Sequence, residues 1–262
     1  MKLRLLTILL VATTCIHAQT ITMGKATFND LSKKIAELKR SSVSIESAYK
    51  NLTGIISLGS GFIATKHGVN YAVTNFHVIK NIPKDHQIFI GMNVGMKKQY
   101  VKAQQIYFDE KLDIAVMRLG ETFYFMKDLL PDSSLFNPSR LGVSMFEESK
   151  EIKEGDGVIL IGYPLGIGSE LTGNQPMSRI GIISQSVNKT TNTFFIDGIA
   201  SHGNSGSPVF NAETGKLLGM IIGFPNDFIT AYDETGQLVA RLPYNSGLSL
   251  CITAEAINKI IP

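Results

Sequence analysis

From Ser42 onward the sequence alternates with a period of two, and it keeps that period for most of its length. The segments SVSIES, GIISL, GFIATK, YAVTNFHVI, QIFIGM, QYVKAQQIYF and DIAVMRL are short and rich in β-branched and aromatic residues. Gly, Asn, Pro and Lys turns separate them. Successive side chains of a strand point to opposite faces, so such alternation marks strands with one buried face. Strands resume at GVILIGYP, SRIGIISQ and TFFIDGIA. Two hairpins follow, one turning at Glu213–Gly215 and the other at Asp233–Gly236. Two blocks of short strands with turns between them lead to sandwiches or barrels, not to βαβ units. The expected fold is therefore all-β, with a helix at each end.

The pattern also divides the chain. Residues 19–41 are expected to hold one helix, with Thr27 and Asp30 as a capping box and Leu31, Ile35 and Leu38 on one face. Residues 42–119 form the first strand block and residues 151–262 the second. The second block closes with the helix TAEAINKII, capped by Thr253 and apolar at Ile257, Ile260 and Ile261. Residues 120–150, with two prolines, several serines and mixed charge, are expected to be a connector with a short helix around Glu121–Leu129.

Composition narrows the function. With 262 residues, 44% hydrophobic and 18% charged, the chain has too much apolar material for disorder. A core of this size needs neither disulfide nor metal staple. A net charge of +3 without a basic run or basic stripe argues against a nucleic-acid partner. Residues 1–18 have the order of a secretory signal: Lys2 and Arg4, an apolar stretch from Leu5 to Ile16, then Ala18. Its removal lowers the net charge from +3 to +1. The apolar stretch is too short to span a bilayer, and no other segment approaches that length. The chain is expected to be exported, to a periplasm or to the medium, without a membrane span. Cys15 leaves with the signal, and Cys251, in LSLCI, is expected to be a buried, inert thiol. Asn51 and Asn188 match the glycosylation acceptor pattern.

Several chemistries fail on inspection. Gly59-Ser60-Gly61-Phe62-Ile63-Ala64 meets the loose dinucleotide pattern, but a strand follows it where a helix is required. His17, His67, His77, His86 and His202 lie in no HExxH or CxxC context, so neither metal nor cofactor is expected. Nucleophilic catalysis is different. GNSGSPVF sets Ser205 in a glycine-flanked turn before a strand, where its Oγ is exposed and the N–H groups of Gly203 and Ser205 can converge on one point. His77 ends an apolar strand, and Asp113 opens another, where an unpaired carboxylate is costly. Each has a bland alternative: a satisfied core histidine, a turn-capping aspartate, a simple Gly/Ser turn. Their joint occurrence in the order His, Asp, Ser favours catalysis.

The motifs GSGFIAT (59–65), TNFHVI (74–79), LDIAVMRL (112–119), EGDGVILIGYPLG (154–166), SRIGIIS (178–184), GNSGSPVF (203–210) and GLSLCITAEAI (247–257) extend the argument. In this order they resemble a chymotrypsin-fold (trypsin-like) serine peptidase, closest to the bacterial HtrA-like and glutamyl-endopeptidase-like branch. The resemblance implies two six-stranded antiparallel β-barrels with a cleft between them. It implies Ser205 as nucleophile, His77 as general base and Asp113 as its orienting carboxylate, with the N–H groups of Gly203 and Ser205 as oxyanion hole. It places a substrate pocket near Ile199, His202, Ile221, Ile222, Gly223 and Phe224. That apolar lining implies small or medium aliphatic residues before the cut.

Two departures carry expectations of their own. Asn204 stands where trypsin-like zymogens carry an Asp, so activation by a new N-terminal ammonium is not expected. After the closing helix, the PDZ domain that many HtrA-like proteins carry is not expected, nor is peptide sensing through one. Protein or peptide substrates are the expected partners, and the sequence leaves the oligomeric state open. The rival expectation is a catalytically silent protease-fold binding module.

Overall fold

The computed structural model describes residues 25–50, 53–94, 97–125, 142–164 and 175–262. The signal reading of residues 1–18 and most of the expected connector lie outside them, as does Asn51. The chain divides into two units, residues 1–33 and 34–262. Helix α1 (Lys25–Leu38) starts in the first unit, and it starts early enough that Thr27 lies inside the helix and does not cap it.

All strands belong to the second unit. β1 (Ser42–Ala48), β2 (Ile56–Lys66), β3 (Val69–Thr74), β4 (Gln87–Val94), β5 (Lys97–Asp109) and β6 (Ile114–Phe125) close an antiparallel barrel in the order β1-β2-β3-β6-β5-β4. β7 (Gly157–Gly162), β8 (Met177–Asn188), β9 (Thr193–Asp197), β10 (Pro208–Asn211), β11 (Leu217–Gly223) and β14 (Leu248–Thr253) close a second, in the order β10-β11-β14-β9-β8-β7. The remaining strands, β12 (Asn226–Tyr232) and β13 (Leu238–Asn245), form a separate two-stranded ribbon between β11 and β14.

Each barrel is filled by the inward residues of its alternating strands. Val43, Ile45, Ile63, Ala72, Ile90, Met92, Val101 and Met117 fill the first. Val158, Leu160, Ile183, Phe194, Ile196, Val209, Leu218, Ile221 and Cys251 fill the second. Fully burying a side chain of this size stabilises by about 1.5–3 kcal/mol. β1 differs from its neighbours because all of it is buried. Val43 and Ile45 face the first core, while the small Ser42 on the other face donates to the Ile161 carbonyl of β7 at 3.5 Å. The two barrels meet there, and again where β2 touches the turn before β10.

The helix after β14 is α3 (Ala254–Ile260). Thr253 Oγ1 caps it by accepting from Ala256 N–H at 3.3 Å, and Ile257 and Ile261 are buried. Lys66, at the end of β2, donates to the carbonyls of Asn258 and Ile261, so a cation sits at the negative end of the helix.

Four local expectations change. GIISL and GFIATK are one strand, β2. β6 runs on to Phe125, so the short helix expected from Glu121 begins as strand. β3 stops at Thr74, and His77 lies in a one-turn helix, α2 (Phe76–Ile79). Lastly, the hairpin at Asp233–Gly236 forms as expected, but its strands leave the barrel.

Candidate active site

The tight turn into β6 creates the first half of the site. Asp109 accepts the N–H groups of Lys111 at 2.9 Å and Leu112 at 3.0 Å, which curls the chain so that Asp113 arrives with φ +55°. Left-handed backbone disfavours most residues, and Asp and Asn are among those that tolerate it. From that position Asp113 uses both carboxylate oxygens on one partner. Oδ1 accepts the backbone N–H of His77 at 2.8 Å, and Oδ2 lies 2.6 Å from His77 Nδ1. The backbone carbonyl of Asp113 accepts from Asn75 Nδ2 at 3.1 Å and from Phe76 N–H at 3.2 Å. One residue therefore fixes the position, the ring plane and the tautomer of His77. With Nδ1–H donated to the carboxylate, Nε2 is left as the basic nitrogen.

The second half is the turn Ser201–Ser207 ahead of β10. Gly203 has φ +90° and Gly206 φ +86°, values glycine reaches without strain. A Cβ on Gly206 would stand 2.0 Å from the Ser60 carbonyl oxygen and 2.4 Å from Thr74 Oγ1, so the first barrel also forbids one. Asn204 N–H donates to Ser201 O at 2.9 Å, Gly206 N–H to Ile221 O at 3.0 Å, and Ser207 N–H to Asn204 O at 2.9 Å. Among the described residues the N–H groups of Gly203 and Ser205 have no acceptor. Both residues are half-buried, so the two donors are open to a ligand or to water while their neighbours are tied down. No hydrogen bond joins His77 to Ser205 among the described residues.

The other expected site residues do not gather in one place. His202 and Phe224 meet edge to face, their ring centroids 5.8 Å apart. Ile222 is the extra residue of a bulge, because Ile221 pairs with Cys251 while Gly223 pairs with Leu250. Bulges re-aim side chains, and Ile222 and Gly223 are half-buried there. Ile221 instead belongs to the second core, since its register turns the side chain inward. Ile199 is 56% exposed on the outer face, beside Ile180 and Ile182, and Arg179 donates to its carbonyl. Among the described residues no cluster of His, Cys, Asp or Glu could hold a metal ion.

A buried polar network was not legible in the sequence. Lys98 pairs with Glu46, which also accepts from Ser44 Oγ at 2.7 Å. The Lys98 ammonium lies 5.5 Å from the Tyr100 ring and 5.7 Å from the Tyr163 ring, and Asn93 donates to Tyr163 Oη at 3.0 Å. Burial, with the nearby Glu46 charge, pushes both phenols above their usual range.

Against this geometry the comparisons with known proteins are specific. Residues 59–220, which hold His77, Asp113 and Ser205, match the family described as the trypsin-like peptidase domain. The chain belongs to this family. Within it, the chain is 29% identical over 215 residues to the serine protease Do-like HtrA of Lactococcus lactis, covering 78% of this chain and 46% of that protein. It is 30% identical over 166 residues to a probable periplasmic serine endoprotease, DegP-like, of Halomonas elongata, covering 63% of this chain and 29% of that protein. The chain thus spans less than half the length of either relative. Among solved structures, the HtrA-type protease AlgW with a tripeptide superposes with a TM-score of 0.55 at 20% identity, covering 88% of this chain and 62% of that one. A serine endoprotease from Yersinia pestis gives 0.54 at 21% identity, covering 88% and 65%. These likenesses establish the trypsin-like double-barrel fold.

Proposed function

We propose that this trypsin-like peptidase domain is an exported serine endopeptidase acting through an acyl-enzyme. Ser205 Oγ attacks the scissile carbonyl. His77 Nε2 takes its proton and returns it to the leaving amine, while Asp113 holds the tautomer and stabilises the imidazolium. The oxyanion is met by the N–H groups of Gly203 and Ser205. The observation that carries this reading is the amide pattern of the serine turn: two free donors flank a bonded one, on the turn that bears the nucleophile. Asn204, 2% exposed and uncharged, offers nothing to an activating ammonium.

A preference for small or medium aliphatic residues before the cut rests on Ile222 and Phe224, with His202 at the rim. Peptides ending in Ala or Val at that position are expected to be cleaved faster than Glu peptides, as kcat/KM would record. Faster cleavage after Glu overturns the preference.

A silent binding module is the second reading, and the missing His77–Ser205 hydrogen bond is the observation in its favour. A fluorophosphonate probe separates the two. Labelling of the wild type that is lost in Ser205→Ala and strongly slowed in His77→Ala supports the peptidase. A folded wild type that takes no label supports the module.

A further inference from the structure

Ser60 lies in β2 of the first barrel and is fully buried, with every polar atom hydrogen-bonded and two of those bonds made to the serine turn. Its backbone N–H donates to the Ser205 carbonyl at 2.9 Å, and its Oγ donates to the Gly203 carbonyl at 2.6 Å. The same Oγ accepts the Tyr163 N–H at 2.8 Å, which fixes the hydroxyl rotor so that its one proton points at Gly203. Its carbonyl accepts from Thr74 Oγ1 at 2.7 Å, three residues before His77.

The two residues whose N–H groups are free, Gly203 and Ser205, are therefore the two whose carbonyls Ser60 holds. Gly203 can swing its preceding amide because it lacks Cβ, and among the described residues no hydrogen bond to its N–H restrains that motion. The restraint comes from the other side. Ser60 Oγ holds the carbonyl of the Gly203–Asn204 peptide and Ser201 O holds its N–H, so the plane between the two peptides that carry the free N–H groups is fixed from both ends.

We infer that Ser60 is a positioning residue: its hydroxyl, oriented by the Tyr163 N–H, locks the Gly203–Asn204 peptide from the opposite barrel and so limits how far the flanking His202–Gly203 and Asn204–Ser205 peptides can turn their N–H groups away from a common point. Ser60 does not touch substrate, and its contribution appears only where those donors are needed. The inference rests on the peptidase reading for its kinetic consequence but not for its structural one.

The decisive variants are Ser60→Ala, which removes the hydroxyl with little change of volume, and Ser60→Cys, which keeps a weak donor. With active sites titrated, Ser60→Ala is expected to lower kcat and the rate of fluorophosphonate labelling together, by about 10- to 100-fold, with KM changed less than about threefold. Affinity for a peptide aldehyde, whose adduct needs the oxyanion donors, falls in step with kcat. Ser60→Cys recovers part of the loss. Unchanged kcat per titrated site, or a loss of activity fully accounted for by a smaller folded fraction, overturns the inference while leaving the peptidase reading intact. A wild type that takes no label overturns the peptidase reading instead, and the Ser60 inference is then decided by NMR. The Gly203 and Ser205 amide resonances are expected to show exchange broadening in Ser60→Ala and not in the wild type. Sharp, unshifted resonances in the variant overturn it.

Discussion

The two halves of the candidate site are built in opposite ways. The half in the first barrel is self-contained: Asp113 spends both carboxylate oxygens on His77 and its carbonyl on Asn75 and Phe76, all within one turn and one short helix of the same barrel. The half in the second barrel is not. Its serine turn relies on Ser60 for two carbonyls, and Gly206 is pressed against the Ser60 carbonyl. An orienting pair can be made locally because it needs only two side chains. A convergent pair of free amides cannot, because the groups that shape it must not occupy it, so the support comes from outside. Changes in the first half should therefore alter rate without stability, and changes in the second should alter both.

The largest expected effect lies in the half of the site that the first barrel builds. Asp113→Asn keeps a residue that tolerates φ +55° but removes the acceptor for His77 Nδ1–H, leaving the imidazole in the wrong tautomer to act as general base. A fall in kcat of roughly 10³–10⁴ is expected. Thermal unfolding should show a midpoint within a few degrees of the wild type. A large loss of stability with it would mean that the pair is holding the barrel and not merely the ring.

Gly206→Ala tests the second half. The added methyl meets backbone at 2.0 Å in a residue with φ +86°, so clash and strain act together. A destabilisation of about 3 kcal/mol is expected, read by urea unfolding, with activity falling further than the stability loss explains. A variant of wild-type stability and activity would show that the turn can move away from β2, and the dependence on the first barrel would be lost.

What the sequence made legible follows the same division. The strands of both barrels are visible because burial of one face imposes alternation, and the hairpins because Gly215 and Gly236 adopt the positive φ their turns require. The ribbon β12–β13 was not separable from the barrel. Ile229 and Leu242 alternate like core residues although they are 60% and 62% exposed. The helical turn bearing His77 is four residues long, too short for a 3.6-residue period to register. In the site, His77 and Asp113 stood out because a polar group in an apolar setting is costly, and Ser205 because glycines flank it in a turn before a strand. Ser60 did not, because a serine between two glycines has no signature, and its partner Gly203 lies 143 residues away. Ile221 was misplaced for a related reason: strand parity is invisible until the bulge at Ile222 is known.

The smallest expected effect separates the barrel junction from the barrel interior, and it appears only in alkali. Burial pushes the thiol of Cys251, inside the second core, and the phenols of Tyr100 and Tyr163, at the junction, above their usual ranges. In the unfolded chain these groups lose their protons near pH 8.5 and 10 respectively, at roughly their reference values. Above each of those values the unfolded state binds fewer protons than the native state, so stability falls as pH rises, by about 1.4 kcal/mol per pH unit for each such group. The stability is present in full below the unfolded value and drains away on the approach to the folded one. Cys251→Ala should thus flatten the decline that begins near pH 8.5, and Tyr163→Phe should flatten only the steeper one that begins near pH 10. Urea midpoints at pH 7, 9 and 10.5 check both. Because Tyr163 also presents its N–H to Ser60, and the substitution leaves that N–H in place, Tyr163→Phe is expected to keep near-normal kcat at pH 7. A large loss of kcat at pH 7 would mean that the phenol, through Asn93, holds the serine turn as firmly as the Ser60 hydroxyl does, and the support from the first barrel would then reach back to β4.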